Sequence, residues 1–311
     1  MNDSLERAWT SLLNSDQFRR LAKQGSASRL FRSQAYRKLN LARRYSISYY
    51  ASRKTPDRFQ DVKAFCVFVG HNKSGSSMIG SLLDAHPNAI FADEADALQY
   101  VPAGFSRDQI FHLLLKGSRR EAIKGRVTAR RLQPYSFLVP GQWQGRYSRL
   151  LVIGDTTTGT TTQRLAGDAD LLHRVQNVMQ AVQVKFIHVI RNPYDPIGVL
   201  MVRGRRTFEN ALGHYFANCE TLVKLRAQTD SSNLLAVRYE DFVHQAPSHL
   251  AHICQFLGIE ASGDYLQACA NILYQSPDRR RHLAEWNLER IEAVSSKMAR
   301  YDFLDGYSFY R

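Results

Sequence analysis

A lysine and two serines follow a strand-like segment at a spacing that suits phosphate binding. The apolar, β-rich run over residues 64–69 is typical of a strand buried on both faces. A turn-forming segment with Lys73 inside it comes next, and Ser76 and Ser77 then open a helix. Because the first N–H groups of a helix are unpaired and its N-terminus is partly positive, such a junction attracts anions. The segment predicts a loop that holds a phosphate.

Acidic residues follow the second apolar segment. Residues 89–92 predict a short strand, and Asp93, Glu94 and Asp96 come directly after it. Ligands of open α/β sheets bind beyond the carboxyl ends of the strands, so these carboxylates are expected near the phosphate loop. A partly desolvated carboxylate there can take the proton from an attacking hydroxyl. A solvated turn carboxylate or a helix-cap neighbour is the structural alternative.

Three more apolar segments predict strands, over residues 150–154, 184–190 and 234–237. Asp155 follows the first of them and Arg191 follows the second. Helical spacing of apolar residues predicts helices over 247–257 and 288–300. Strands that alternate with helices in this way favour the α/β class.

The bulk composition limits the partners. Lysine and arginine outnumber aspartate and glutamate by 42 to 28, a net charge of +14 that favours nucleic acid, a membrane surface or a polyanionic ligand. The four cysteines lack CxxC spacing, which indicates free thiols in a reducing compartment. No apolar run approaches the roughly 18 residues of a membrane span, and the N-terminus lacks a signal-peptide pattern. We expect a cytoplasmic protein with no transmembrane segment and no metal site.

Residues 1–60 form a basic, helix-leaning N-terminal extension in our interpretation, and residues 61–311 form the main domain. The extension is either a basic amphipathic surface for a membrane, a partner or an acidic acceptor, or a helical appendage packed on the core. The second interpretation is favoured, because the apolar positions are few and are interrupted by Gly25 and several serines. The sequence does not indicate an oligomeric state.

Two motifs resemble those of a known family. The order Lys73-Ser74-Gly75-Ser76-Ser77 is not a Walker A motif, because its lysine precedes the glycine. It resembles the 5′-phosphosulfate loop of sulfotransferases that use 3′-phosphoadenosine-5′-phosphosulfate (PAPS). The segment over residues 184–206 resembles the 3′-phosphate motif of that family, and residues 233–259 match its RYED…P…L…FLG pattern. Residues 276–286 resemble its C-terminal basic segment. The motifs are similar to those of bacterial, tyrosylprotein and heparan sulfotransferases.

The resemblance implies a fold and roles for individual residues. The fold is a P-loop-kinase-like parallel sheet of about five strands flanked by helices. PAPS would be the cofactor, 3′,5′-ADP its product, and no metal would be required. Glu94, which lies 21 residues after Lys73, would be the general base, and Lys73 would stabilise the leaving group. The implied cofactor-binding residues are Lys73, Ser74, Gly75, Ser76, Ser77, Arg191, Tyr239, Arg279 and Arg281.

The sequence also departs from the family pattern. Val199 stands where the family usually has a second 3′-phosphate ligand, a serine, and we expect Arg203, Arg205 or Arg206 to compensate. Thr156 stands where bacterial relatives often have a lysine. Asp155 stays a candidate for substrate contact or a second base, whereas the Thr/Gly tract after it is also compatible with turn chemistry.

The predicted helical insertion over residues 105–149 is rich in arginine. In the family this region shapes the acceptor site. Its arginines therefore either meet an acidic substrate or form a solvated charge run, the second interpretation being slightly favoured. They are Arg119, Arg120, Arg126, Arg130 and Arg131.

The predicted function is transfer of a sulfuryl group from PAPS to an acceptor hydroxyl, or less favourably to an amine, with the class of acceptor left open. A PAPS-binding but inactive homologue is one alternative, made thinkable by Val199 and Thr156. A kinase-like enzyme would need Mg²⁺ and a Walker-type loop. A basic nucleic-acid-binding protein would show salt-dependent binding and no dependence on Glu94, and we do not expect nucleic acid as a partner.

Overall fold

The computed structural model describes residues 34–127, 135–273 and 279–310. The chain divides into two units at Lys54–Thr55. The described part of the first unit is helix α1, Gln34–Lys54, in which the guanidinium of Arg53 lies 4.7 Å from the ring centre of Tyr49. Residues 1–33 of the predicted extension lie outside the described residues. None of the helices in the described ranges is both long and apolar enough to cross a membrane.

The second unit contains a five-stranded parallel sheet, which confirms the predicted fold class. The order across the sheet is β2-β3-β1-β4-β5. All five predicted strands are present, with ends that differ by no more than two residues. They are β1 (Ala64–Gly70), β2 (Ala89–Ala92), β3 (Val152–Asp155), β4 (Gln183–Ile190) and β5 (Leu234–Arg238).

Helices connect these strands and follow the last one. The helix after β1 is α2 (Ser76–Asp84), and α3 (Arg107–Ile123) lies between β2 and β3. The helices between β3 and β5 are α4 (Gly159–Gly167), α5 (Leu171–Met179), α6 (Tyr194–Val202) and α7 (Phe208–Gln228). Those after β5 are α8 (Tyr239–His244), α9 (Ala246–Leu257), α10 (Gly263–Asn271) and α11 (Leu288–Met298).

Helices cover both faces of the sheet because its central strand is apolar on both sides. All seven residues of β1 are buried. Cys66 and Phe68 point to one face and share a core with Leu82 of α2. On the other face Phe65 packs against Phe111 of α3, with ring centres 5.9 Å apart.

The strand order places the predicted phosphate loop where the chain changes direction across the sheet. From β1 the chain first builds β2 and β3 on one side and then crosses to β4 and β5 on the other. The loop after β1 therefore lies between the carboxyl ends of β3 and β4, where open α/β sheets form their ligand crevice.

Candidate active site

The loop between β1 and α2 presents unpaired backbone donors. Gly75 precedes the helix with a φ of 105°, and a Cβ atom at this position would lie only 2.2 Å from the ring of Tyr239. Glycine is therefore required by both conformation and space. Within the part of the chain that the structure describes, the backbone N–H groups from Lys73 to Ser77 donate no hydrogen bond. They are available to an anion, as the sequence predicts.

The threonine tract after β3 holds the first half of this loop. Thr162 Oγ1 accepts a hydrogen bond from the Gly70 N–H at 2.9 Å, and Thr158 Oγ1 donates to the carbonyl of His71 at 3.1 Å. The Gly159 N–H donates to Asn72 Oδ1 at 3.2 Å. The tract is therefore a clamp on the phosphate loop as well as a turn. Sequence analysis missed this role because hydroxyl-to-carbonyl contacts between distant segments leave no local pattern.

His71 adds no charge to the loop. Its ring is stacked on Tyr215 with the ring centres 3.7 Å apart, and it is buried. Burial holds the pKa of His71 well below its ordinary value. The imidazole is thus neutral at physiological pH, and the charge at this loop comes from Lys73.

A cavity of about 480 Å³ lies over the loop and the carboxyl ends of the strands. Most of the residues predicted from the sequence line it together: Lys73, Gly75, Ser76, Ser77, Glu94, Arg191 and Tyr239. Ser74 is buried beneath the loop instead. Asp96 and Arg203, which the sequence named as further candidates, also line it, as do residues that the prediction did not assign, among them Asn72, Phe137, Arg280 and the threonines 157, 158 and 160.

The strand order divides the cavity into two sides. We call the side beyond β4 and β5 the arginine side; its lining residues are Arg191, Arg203, Tyr239 and Arg280. We call the side beyond β2 and β3 the carboxylate side; its lining residues include Glu94, Asp96 and Thr156. The phosphate loop lies between them.

Arg191 is the centre of the arginine side. Its side chain is buried, with only 3% of its surface exposed, and its Nε donates to Asp195 Oδ2 at 3.3 Å. Its Nη1 donates to the carbonyl of Lys73 at 3.2 Å, and its guanidinium lies 4.6 Å from the ring centre of Tyr239. One guanidinium thus contacts α6, the phosphate loop and the first residue of α8, and its orientation is fixed by these three neighbours.

The C-terminal basic segment reaches the cavity through a different arginine from those predicted. Arg280 lines the cavity, whereas Arg279 is exposed and does not line it. Arg281 is buried, and both its backbone N–H and its Nε donate to Asp195 Oδ1, at 2.7 and 3.2 Å. Which of three consecutive arginines lines the cavity depends on the direction of the backbone, and spacing along the sequence does not reveal that direction.

A cation also lies one helical turn beyond Val199. The N–H of Arg203 donates to the Val199 carbonyl at 2.9 Å, and the Arg203 side chain lines the cavity. Arg205 and Arg206 do not line it. Of the three arginines expected to compensate for Val199, the structure brings Arg203 to the site.

The carboxylates near β2 and β3 have different roles. Asp155 is buried and accepts hydrogen bonds from the N–H groups of Ala95 and Ala97 at 3.0 and 2.7 Å. Burial raises the pKa of Asp155 to about 6. Asp96 forms a two-bond ion pair with Arg164, at 2.5 and 2.6 Å. Asp155 therefore shapes the turn after β2 and does not line the cavity.

Glu94 differs from its neighbours. Asp93 accepts a hydrogen bond from Thr156 Oγ1 at 2.7 Å, so three of the four carboxylates are engaged. The carboxylate of Glu94 is exposed at the cavity and forms neither a hydrogen bond nor an ion pair with any described residue. Its backbone has a φ of 48°, and its N–H lies 3.4 Å from Thr156 Oγ1. Of these carboxylates it is the one available to take a proton.

The insertion arginines do not form one solvated run. Arg126 is buried and paired with Asp84, a carboxylate that also accepts bonds from Ser118 Oγ at 2.7 Å and the Gly145 N–H at 2.9 Å. Burial raises the pKa of Asp84 above its ordinary value, although Arg126 opposes this shift. Both earlier interpretations are therefore wrong for Arg126. Arg120 is exposed and paired with Glu121, and Arg130 and Arg131 lie outside the described residues.

No group of three or more histidine, cysteine, aspartate or glutamate side chains able to hold a metal ion occurs among the described residues. The charged groups that line the cavity are amino-acid side chains: one lysine, three arginines and two carboxylates. Such a donor set suits a ligand with separated phosphate groups.

Comparison with known proteins shows which proteins the chain is similar to. A model described as "Sulfotransferase family" matches residues 167–263. Sulfotransferase STF9 from Mycobacterium avium shares the fold with a TM-score of 0.50, at 10% sequence identity over 82% of this chain and 81% of its own. Residues 167–263 therefore resemble the sulfotransferase family, and the chain shares the fold of solved sulfotransferases. No curated protein matches it significantly in sequence.

Other sulfotransferase structures are more distant in shape. The sulfotransferase domain from the Synechococcus PCC 7002 olefin synthase is 17% identical, with a TM-score of 0.44 over 78% of this chain and 96% of its own. Mouse sulfotransferase SULT7A1, complexed with PAP, is 13% identical, with a TM-score of 0.41 over 76% and 84%. The residues that the family model matches, 167–263, contain Arg191 and Tyr239 but not the phosphate loop or Glu94.

Proposed function

We propose that the protein transfers a sulfuryl group from PAPS to an acceptor hydroxyl. The observation that carries the proposal is the composition of one cavity. A loop with a lysine lies between a side with three arginines and a side with a glutamate, and neither the loop N–H groups nor this glutamate has a partner among the described residues. The reaction requires binding groups for two separated phosphates and one acceptor for a proton, and this cavity contains all three.

The lining residues fit the cofactor. Ser76, Ser77 and the N–H groups of the loop would hold the 5′-phosphate at the positive end of α2. Arg191 would hold the 3′-phosphate through its planar fork of donors. We assign the adjoining contact to Arg280 rather than to Arg279 or Arg281, because Arg280 lines the cavity. Tyr239 would support Arg191 through its ring.

The chemistry follows from this placement. PAPS supplies the sulfuryl group as an activated mixed anhydride. Glu94 accepts the proton of the acceptor hydroxyl as its oxygen forms a bond to sulfur. The bond between sulfur and the bridging oxygen breaks at the same centre, and 3′,5′-ADP leaves. Lys73 and the loop N–H groups stabilise the charge that develops on that oxygen.

Most of the catalysis in this proposal is positioning and electrostatics, as in phosphoryl transfer. The acceptor would approach from the carboxylate side, where Glu94, Phe137 and the threonines line the cavity. Protein side chains supply each of the required charges, so the proposal assigns no role to a metal ion.

Calorimetric titration with 3′,5′-ADP in metal-free buffer tests the cofactor, with Mg²⁺-ATP titrated in parallel. Arg191→Ala should weaken 3′,5′-ADP binding by about 10- to 100-fold, since a hydrogen bond to a charged group contributes about 1.5–3 kcal/mol. Arg205→Ala, a change outside the cavity, is the matched control.

Tighter binding of Mg²⁺-ATP, or no binding of either nucleotide, would contradict the proposal. If 3′,5′-ADP binds tightly but no acceptor from a panel of hydroxyl compounds is sulfated, the inactive-homologue alternative would be favoured. Strong, salt-dependent oligonucleotide binding in place of nucleotide binding would favour the nucleic-acid alternative.

A further inference from the structure

The C-terminal tail runs behind the arginine side without lining the cavity. After the short turn Asp302–Leu304, the described residues 305–310 contribute no side chain to the cavity wall. Their contacts are nevertheless concentrated on the residues that flank the three cavity-lining positions Arg191, Tyr239 and Arg280.

The first part of the tail holds both neighbours of Tyr239. Arg238 Nη2 donates to the carbonyl of Asp305 at 2.5 Å, and the Arg238 guanidinium lies 4.2 Å from the ring centre of Tyr307. The hydroxyl of Tyr307 donates to Glu240 Oε2 at 2.8 Å. The backbone on each side of Tyr239 is therefore tied to the tail.

The second part holds the neighbours of the two arginines. The carbonyl of Ser308 accepts from Asn192 Nδ2 at 2.8 Å and from Arg281 Nη1 at 3.0 Å. The carbonyl of Phe309 accepts from the same Arg281 nitrogen at 2.6 Å. Asn192 follows Arg191 in the chain, and Arg281 follows Arg280.

Packing fixes the tail in place. The ring of Phe309 lies edge-on to Tyr194 and tilted against Trp286, with ring centres 5.3 and 5.6 Å apart. Tyr194 begins α6, and the Trp286 indole N–H donates to the Arg281 carbonyl at 2.8 Å. These aromatic contacts hold the carbonyls of Ser308 and Phe309 against their donors.

Asp195 completes the link between the arginines. Its two carboxylate oxygens accept from Arg191 on one side and from Arg281 on the other, and all three side chains are buried. The three cavity-lining residues come from distant parts of the chain. A common scaffold is therefore needed to direct them at one phosphate group.

We propose that residues 305–309 are this scaffold: the tail positions Arg191, Tyr239 and Arg280 for the 3′-phosphate without touching the cofactor. The inference rests on the proposed function, because it assumes that the arginine side binds that phosphate. Its members are positioning residues, and loosening the tail should reduce 3′-phosphate recognition selectively.

Full-length variants with single or double changes in the tail test this. Tyr307→Phe removes the bond to Glu240 and keeps the ring, and Phe309→Ala removes the packing. The double variant should bind 3′,5′-ADP about 10-fold more weakly or worse, and Tyr307→Phe alone about 2- to 5-fold more weakly. Tyr310→Ala is the control, because Tyr310 is 76% exposed; its affinity should match the wild type.

The second readout is the affinity for 5′-AMP, which lacks the 3′-phosphate. A positioning role predicts that the ratio of 3′,5′-ADP to 5′-AMP affinity falls in the variants, whereas general destabilisation lowers both affinities together. Equal losses for both nucleotides, or unchanged 3′,5′-ADP binding in the folded double variant, would overturn the inference. If the double variant does not fold, an unchanged ratio of 3′,5′-ADP to 5′-AMP affinity in Tyr307→Phe would also overturn the inference.

Failure of the proposed function is distinguishable from failure of this inference. If the wild-type protein does not bind 3′,5′-ADP, both the proposed function and the proposed role of the tail are contradicted. Wild-type protein that binds, with tail variants that bind equally well, leaves the function in place and removes the tail from the site.

Discussion

The two sides of the cavity are built differently. On the arginine side, Arg191 is buried and shares the carboxylate of Asp195 with the buried Arg281, and the tail bonds both Arg281 and Asn192. On the carboxylate side, Glu94 is exposed and has no partner among the described residues. Under the proposed function the difference would separate two tasks: the arginine side would present a fixed geometry to the cofactor, and the exposed Glu94 would accept the proton of the acceptor.

The largest expected effect comes from the carboxylate side. Glu94→Gln keeps the shape of the side chain and removes the proton acceptor, so the rate of sulfuryl transfer should fall by about 10²–10⁴-fold. Affinity for 3′,5′-ADP should not change, since the proposal places its 5′-phosphate at the loop and its 3′-phosphate on the arginine side, and gives Glu94 no contact with either. Single-turnover transfer assays and calorimetry measure the two quantities.

Asp93→Asn is the matched control for this change, because Asp93 is already engaged by Thr156. Its transfer rate should stay far closer to wild type than that of Glu94→Gln. If Glu94→Gln kept the wild-type rate, Glu94 would not be the general base, and the two sides of the cavity would not have the separate tasks proposed for them.

The sheet beneath the two sides should respond to pH with opposite signs. On β4, burial lowers the pKa of His188 to about 3, from an ordinary value of 6.5. The unfolded chain therefore binds a proton below pH 6.5 that the folded chain does not. The contribution of His188 to the free energy of unfolding should be fully present above pH 6.5 and should fall by about 1.4 kcal/mol per pH unit towards pH 3. Denaturant unfolding of wild type and His188→Asn measures the slope, which should be shallower in the variant by about that amount.

On β3, burial raises the pKa of Asp155 to about 6, from an ordinary value of 3.8. Here the folded chain binds the proton more tightly, so this group favours the folded state as the pH falls from 6 towards 3.8. Asp155→Asn should therefore steepen the loss of stability in acid, whereas His188→Asn reduces it. Two variants that change the slope in the same direction would contradict the comparison.

The smallest effect is expected at the edge of the arginine side. Arg203 lines the cavity but is exposed, so its contribution to phosphate binding is screened by solvent. Arg203→Ala should weaken 3′,5′-ADP binding by about 3- to 10-fold and Arg205→Ala by less than about 2-fold. Titrations at low and high salt would show the difference shrinking with ionic strength. An equal effect of both changes would mean that Arg203 acts only through the general positive field.

Much of this architecture is predictable from the sequence. Strands such as β1 and β4 are continuous apolar runs with turn signals at their ends, and the loop between Gly70 and Ser76 has a local pattern of its own. Lys73, Glu94 and Arg191 follow strand ends, where a parallel sheet gathers its ligands. To predict that these three residues line one cavity, only the order of the strands in the sheet is needed in addition.

The remainder depends on contacts between distant segments. The threonine clamp joins residues about 90 positions apart, and the tail joins Ser308 to Asn192 across 116 positions. Arg279, Arg280 and Arg281 are identical in type, and it is the bonds of Arg281 to Asp195 and to the tail that turn this residue away from the cavity. Spacing along the chain contains none of this information.

Asp84 has a further consequence. Its carboxylate binds Arg126 and the Gly145 N–H, so one buried group fastens both ends of the segment that supplies Phe137 to the cavity wall. When the ends of a loop are fixed in this way, each doubling of its length costs only about 0.6 kcal/mol. Under the proposed function, we expect substitutions around Phe137 to alter acceptor preference while the sheet, the phosphate loop and the arginines keep their places.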